Sequence, residues 1–331
     1  MAPTLRVFVA GGTGVLGKRI VAELADRGHV AIGLTRDEEG DEIVAERGGV
    51  PRRGDVLDQE SLEWAAADAD VVIHAATAIP TDRKPSGEDW QRNDDVRRIG
   101  TRNLTNAAAM GEARRYVQAS VVWVARNADG SAIDESADPN PDRTTRSALE
   151  AEQRARASGR FGLEPVVLRC GWFYAHDSAH TRQFGRDLLR GRLPVVGGGI
   201  LGRRDAELSL LHPDDAARAF VEAAEGGPTG LYHVVDEEPV TLARFLRALA
   251  DRLDASEPRR IPGWLARPFV GKDAVRLLTT GFPTTAETFR RDYDWEPTHS
   301  TYREGLDAVV DRWLDEGALV ETDSGYEWAG E

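Results

Sequence analysis

The seven residues Gly11-Gly12-Thr13-Gly14-Val15-Leu16-Gly17 have a spacing suited to one kind of chemistry. Glycines 11, 14 and 17 fit G-x-x-G-x-x-G, and glycines 12, 14 and 17 also fit G-x-G-x-x-G. Glycine allows a tight turn, lets the backbone approach a pyrophosphate, and lets a helix pack closely on a strand. A helix opening there presents free N–H groups and a partial positive charge to phosphate. About 20 residues on, such sites carry the group that reads the ribose. That position reads Leu34-Thr35-Arg36-Asp37. Arg36 has the fork to take a 2′-phosphate, and Asp37 is close enough to bind ribose hydroxyls instead. The pattern predicts a dinucleotide site at Gly11, Thr13, Gly14, Val15, Leu16, Gly17 and Arg36, with NADP favoured over NAD.

A second set of reactive groups, Tyr174, His176 and His180, follows the apolar run Pro165–Cys170. Ligands of open α/β sheets lie outside the carboxyl ends of the strands. Tyr174 is therefore a candidate proton donor. The two histidines have the i,i+4 spacing of a metal pair, but Asp177 is the one carboxylate beside them. They read as surface loop residues, and no metal is expected. Trp123, Trp172 and Phe173 are expected to make the pocket aromatic, which suits a substrate with a ring.

These groups need elements to position them. Leu5–Ala10, Val30–Thr35, Val71–Ala75, Tyr116–Ser120 and Pro165–Cys170 read as buried strands. Val15–Arg27, Asp37–Arg47, Trp90–Met110 and Arg146–Ser158 have helical spacing. Alternation of this kind predicts an α/β fold with a doubly wound parallel sheet, a Rossmann domain, and a smaller C-terminal substrate-side subdomain. The dinucleotide-binding domain is expected over 1–170, with segments near 208–236 returning to the sheet. Residues 171–207 and 237–331 would form the subdomain. Within them, Gly197-Gly198-Gly199 reads as a turn. Short helices broken by prolines follow Thr241, and a hairpin closes around Asp323-Ser324-Gly325.

The composition excludes several functions. The 331 residues hold 42 Lys+Arg against 56 Asp+Glu, a formal charge of −14, which disfavours nucleic acid as a partner. Cys170 is the one cysteine, so neither an internal disulfide nor a multi-cysteine zinc site is available. No apolar run approaches the roughly 20 residues of a membrane span. No secretion signal is read at the start, so a cytoplasmic protein is expected. Lysine occurs only as Lys18, Lys84 and Lys272, and arginine supplies the other basic residues. An acidic, lysine-poor surface suits a salt-rich, halophilic cytoplasm.

Several further motifs resemble the extended short-chain dehydrogenase/reductase superfamily, in its NAD(P)-dependent epimerase/dehydratase group, from Leu5 to about Trp313. Gly54-Asp55-Val56 is similar to the segment that holds adenine. His74-Ala75-Ala76 resembles the segment beside the cofactor, and Gly100-Thr101-Arg102-Asn103-Leu104 the G-T-x-N-L helix. Leu211-His212-Pro213-Asp214-Asp215-Ala216 is similar to a structural segment in which Asp214 or Asp215 would cap a helix. The resemblance thus adds Asp55, Val56, Ala75 and Ala76 to the cofactor site and Ser120 to the catalytic set. The family's Tyr-x-x-x-Lys pair falls on Thr144 and Ala148, and its asparagine before G-T-x-N-L on Arg97. A threonine hydroxyl is a far weaker acid than a phenol.

The resemblance implies a nicotinamide-dependent reductase, dehydrogenase or epimerase acting on a small carbonyl or hydroxyl compound. Its atypical site would be Ser120, Thr144 and Tyr174. The competing reading is a non-catalytic redox sensor like the NmrA regulators, with Arg97 filling the substrate space. The helices Trp90–Met110 and Arg146–Ser158 are compatible with a homodimer.

Overall fold

The first strand, β1 (Arg6–Ala10), is buried from Val7 onward, as its apolar composition requires. In the computed structural model, residues 3–329 are described except 82–84, 197–204, 263, 266–267, 269–274, 276–279 and 324. From β1 the chain alternates through α1 (Gly17–Asp26), β2 (Val30–Thr35), α2 (Glu38–Glu46), β3 (Val50–Arg53) and α3 (Gln59–Ala65). It then returns to β4 (Val71–His74), α4 (Gly87–Asp95), a π-helical turn (Val96–Gly100), α5 (Thr101–Met110) and β5 (Arg115–Val121). Next come α6 (Arg146–Ala157), β6 (Glu164–Cys170), β7 (Trp172–Phe173), α7 (Ala179–Leu189), β8 (Val195–Val196), β9 (Glu207–Leu208) and β10 (Leu210–Leu211). Then follow α8 (Pro213–Glu225), β11 (Gly230–Val234), β12 (Val240–Thr241) and α9 (Leu242–Arg252).

Seven of these strands form one parallel sheet in the order β11-β6-β5-β4-β1-β2-β3. Alternate residues feed two cores. Val7, Val9, Val71 and Ile73 join the core that includes α1 and α8. Phe8, Ala10 and Val72 join the other, with Leu62, Leu104 and Ala107. A strand buried on both faces is the mark of helices on both sides. The expected doubly wound sheet is therefore present. Its strand order reverses between β1 and β4, so a crevice opens there, at the turns after both strands.

Several local expectations change. The helix expected over Trp90–Met110 is broken by the π-turn. The 208–211 segment does not return to the main sheet. Its two pieces pair with β12 and β7 instead, and only Gly230–Val234 returns, beside β6. Strand β3 (VPRR) is an edge strand carrying Pro51, whose missing N–H the edge tolerates. The expected tail hairpin is present as Leu319–Thr322 paired with Gly325–Trp328. The Gly197-Gly198-Gly199 turn lies outside the described residues.

Candidate active site

The glycine turn follows β1 and opens α1. Gly11 has φ +89°, and a Cβ there would stand 2.6 Å from the Ala76 nitrogen. Any side chain would thus push the two turns of the crevice apart. A Cβ on Gly17 would stand 1.9 Å from the Gly11 carbonyl oxygen. The Gly14 N–H donates to that same oxygen at 3.0 Å. Leu16 caps α1 without a side-chain hydrogen bond. The Lys18 N–H already donates to Gly14, and those of Arg19 and Ile20 to Leu16, so the groups left for an anion among the described residues are those of Val15, Leu16 and Gly17, and this cradle fits a pyrophosphate.

The groups expected around the rest of a dinucleotide lie along the same edge. Arg36 is exposed just past β2. Its side chain makes no hydrogen bond or ion pair among the described residues, whereas the neighbouring Arg53 is taken by Asp41. Asp37 accepts from the Gly40 N–H at 2.9 Å and so caps α2. Asp55 accepts from the Leu57 N–H with one carboxylate oxygen and keeps the other open. Val56 is buried, and its carbonyl accepts from Asn103 at 3.0 Å. Ala75 and Ala76 continue β4, and the Ala75 N–H donates to Ala10. Lys18 and Arg19 of α1 both bind Asp177, which ties the glycine turn to the segment after β7.

The three expected hydroxyls share one property. Ser120 Oγ donates to Glu152 Oε1 at 2.5 Å. Thr144 Oγ1 donates to Asp142 Oδ1 at 2.7 Å. Tyr174 Oη donates to Asp236 Oδ2 at 2.8 Å. Each proton is directed at a carboxylate. Glu152 is also held by Arg169. Tyr174 is 2% exposed and its ring lies against Phe245 and His212. Burial pushes its phenol well above the ordinary range, and Asp236 adds to this. Burial likewise pushes the Asp236 carboxyl up to about 7. The three hydroxyls thus donate to three different carboxylates.

Sequence reasoning noted Arg97 only as a departure from the family. The π-turn aims it inward, to 7% exposure, and Nη1 donates to the Thr144 carbonyl at 3.0 Å. Burial lowers its guanidinium to about 10, against the opposing pull of Asp94 and Glu152. His74 lies nearby at the end of β4, with both ring nitrogens unpaired, and burial lowers it to about 4.

The aromatic expectation holds in part. Trp172, Phe173, Phe184 and Phe245 line an apolar cavity of about 10 Å³, together with His180 and Tyr174. Trp123 instead packs on Phe282, 5.4 Å between ring centres. The two histidines are half-buried rather than surface residues. His180 Nε2 accepts from Trp172 Nε1 at 2.9 Å, and His176 faces Glu316. Neither expected aspartate caps α8. Pro213 takes the first helical position and His212 the cap, its ring accepting from the Asp214 N–H. Asp215 is buried among donors from Thr298, His299 and Arg218. His212, Asp215 and His299 lie within 4.8 Å of one another. With its oxygens already occupied, Asp215 makes this cluster a clasp between α8 and the 298–299 loop. Among the described residues no helix is long and apolar enough to cross a membrane.

The sequence model of the NAD-dependent epimerase/dehydratase family matches residues 7–234. A 3-diazoavenalumate denitrifying reductase from a Streptomyces species is 35% identical, over 91% of this chain and 99% of its own. A 4-hydroxy-2-methyl-3-oxo-4-farnesyl-3,4-dihydroquinoline-1-oxide ketoreductase from Stigmatella aurantiaca is 31% identical, over 75% and 73%. Among solved structures, a Thermus thermophilus UDP-glucose 4-epimerase in complex with NAD superposes with TM-score 0.73 at 24% identity, over 92% of this chain and 99% of the other. At that identity the likeness speaks for the fold.

Proposed function

The chain belongs to the NAD-dependent epimerase/dehydratase family, and on that footing we propose that it is a nicotinamide-dependent reductase whose small substrate needs no proton from a protein hydroxyl. The observation that carries the reading is the direction of three hydroxyl protons. Ser120, Thr144 and Tyr174 each donate to a carboxylate. A ketone reduced by hydride becomes an alkoxide and must be protonated, usually by a positioned acid. None of these three is free for that task.

An arenediazonium has no such need, and the similar Streptomyces reductase is named for removing nitrogen from a diazo compound. Reduced nicotinamide, held by the residues of the glycine turn, would supply hydride to the ring carbon that bears nitrogen. The C–N bond breaks with its electron pair leaving on N2. Thus Ar–N2⁺ and NAD(P)H give Ar–H, N2 and NAD(P)⁺, and no proton enters.

The chain's own residues bind and orient. In this reading Gly11, Thr13, Gly14, Val15, Leu16 and Gly17 hold the pyrophosphate at the start of α1. Asp55 and Val56 receive the adenine, and Ala75 and Ala76 form the opposite wall. Arg36, exposed and without a side-chain partner among the described residues, takes the 2′-phosphate and gives the preference for NADP. Ser120, Thr144 and Tyr174 position the carboxylates they bind. Trp172 and Phe173 supply an apolar wall for a ring. The reading includes a homodimer through the outer faces of α5 and α6, where Met110 is exposed, and a salt-rich cytoplasm. The sensor alternative is not favoured, because the similar proteins are named as enzymes.

The test uses a hydroxyarenediazonium salt and NADPH deuterated at the transferable position of C4. The expected product is the parent phenol carrying one deuterium where nitrogen left, with one N2 per NADPH. Cofactor loss no faster than without protein overturns the reading. So does faster turnover of a simple aryl ketone.

A further inference from the structure

We propose that Arg97 is the receptor for an oxyanion carried by the substrate. Three independent features of the π-turn and its surroundings converge on this. The first is the turn itself. A π-turn within an α-helix is a locally unfavourable feature that recurs at functional sites. Here it rotates Arg97 from the helix surface onto the Thr144 carbonyl. The second is charge. Buried cations ordinarily sit in ion pairs. Among the described residues Arg97 has none. Glu152, a buried carboxylate whose charge reaches Arg97, is already engaged by Arg169 and Ser120. Asp94 faces Arg98.

The third is access. Arg97 uses one of its donors, on Thr144, yet none of its nitrogens is both sealed from solvent and unpaired, in contrast to Nη1 of Arg169. The unused donors of Arg97 therefore keep some access to solvent, beside His74 at the end of β4. A buried fork of N–H donors without an ion-pair partner recognises a planar oxyanion. Ala148 contributes only a methyl group one turn along α6 from Thr144, so no second cation competes there.

The ligand is an aromatic phenolate or carboxylate, since Trp172 and Phe173, which line an apolar cavity, follow directly on β6 and its Arg169, the partner of Glu152. Calling that ligand the substrate rests on the reductase reading. The binding itself does not, and the experiment needs no turnover.

The probe is 4-nitrophenol, whose phenolate form absorbs visible light and so reports its own ionisation when bound. It is titrated into the protein saturated with NADP⁺, beside 4-nitrobenzoate and the neutral 4-nitroanisole. The wild type is expected to bind one or both anions and to hold 4-nitrophenol as the phenolate. The anion held more tightly identifies the oxygen taken. Arg97→Met should weaken anion binding by about ten- to hundredfold while leaving cofactor affinity unchanged. Arg97→Lys should restore part of it. Equal binding of 4-nitroanisole and 4-nitrophenolate to the wild type overturns the proposal, even if Arg97→Met does not fold. So does a folded Arg97→Met protein that binds the anions as the wild type does.

Discussion

Arg169 grips Glu152 with two parallel hydrogen bonds, Nε to Oε1 at 2.8 Å and Nη2 to Oε2 at 2.7 Å. The side chains are 3% and 2% exposed. This pair joins β6, one strand in from the β11 edge of the sheet, to α6. Removing one partner strands the other charge. Glu152→Gln and Arg169→Met should each lower unfolding free energy by about 3–5 kcal/mol. Denaturant titration measures this. The double variant Glu152→Leu/Arg169→Met should cost less than the two single changes summed. Additive losses would mean that the two side chains act separately.

Gly17 is the tightest position of the glycine turn. The Cβ of Gly17→Ala would stand 1.9 Å from the Gly11 carbonyl oxygen, so α1 must move away from β1. Displacing a positioned anion site by about 1 Å costs on the order of a hundredfold, and cofactor affinity should fall by that much. Fluorescence titration with NADPH reads it. Gly87→Ala, which meets nothing within 4 Å, is the matched control and should bind as the wild type does.

Arg36→Ala should weaken NADPH binding by about tenfold, the usual size of a charged hydrogen bond. NADH binding and the unfolding temperature should stay constant, because Arg36 is exposed and its side chain has no partner among the described residues. An unchanged NADPH/NADH ratio would move the 2′-phosphate to another residue.

Acid should destabilise the protein through three histidines. Burial lowers His74 and His212 to about 4 and His233 to about 3. Their folded values lie below the unfolded value near 6.5, so the unfolded chain binds protons first. Their contribution is complete above about pH 6.5 and is lost as pH falls toward 4. Asp236 works in the opposite sense. Its folded value near 7 lies above the unfolded one, so its contribution is complete below about pH 4 and is lost as pH rises through 7. Asp236→Asn should therefore steepen the acid loss between pH 7 and 4. Unfolding temperatures of both proteins across that range test the sign.

The strands and the glycine turn were legible because each depends on local pattern. Val30–Thr35 is a strand with the bounds its apolar run predicts. Gly11, Gly14 and Gly17 stand where a strand meets a helix. Strand β3 was hidden by Pro51 and two arginines, which read as loop but are tolerated at a sheet edge. Most of the candidate site was hidden for another reason. The link from Ser120 through Glu152 to Arg169 joins three elements, and no spacing along the chain announces it. Tyr174 was visible as a titratable residue after a strand, but its partner Asp236 comes 62 positions later. Arg97 was visible only as a mismatch, because a continuous helix over Trp90–Met110 hides the turn that buries it.

The π-turn also leaves a mark that can be read by counting. It fits one more residue into a helical turn than an α-helix does, a phase step of about 100° between α4 and α5. A helical wheel drawn straight through Trp90–Met110 assigns one end of the segment to the wrong face. Deleting a single residue from Val96–Gly100 would close the helix and swing Arg97 out of the cleft.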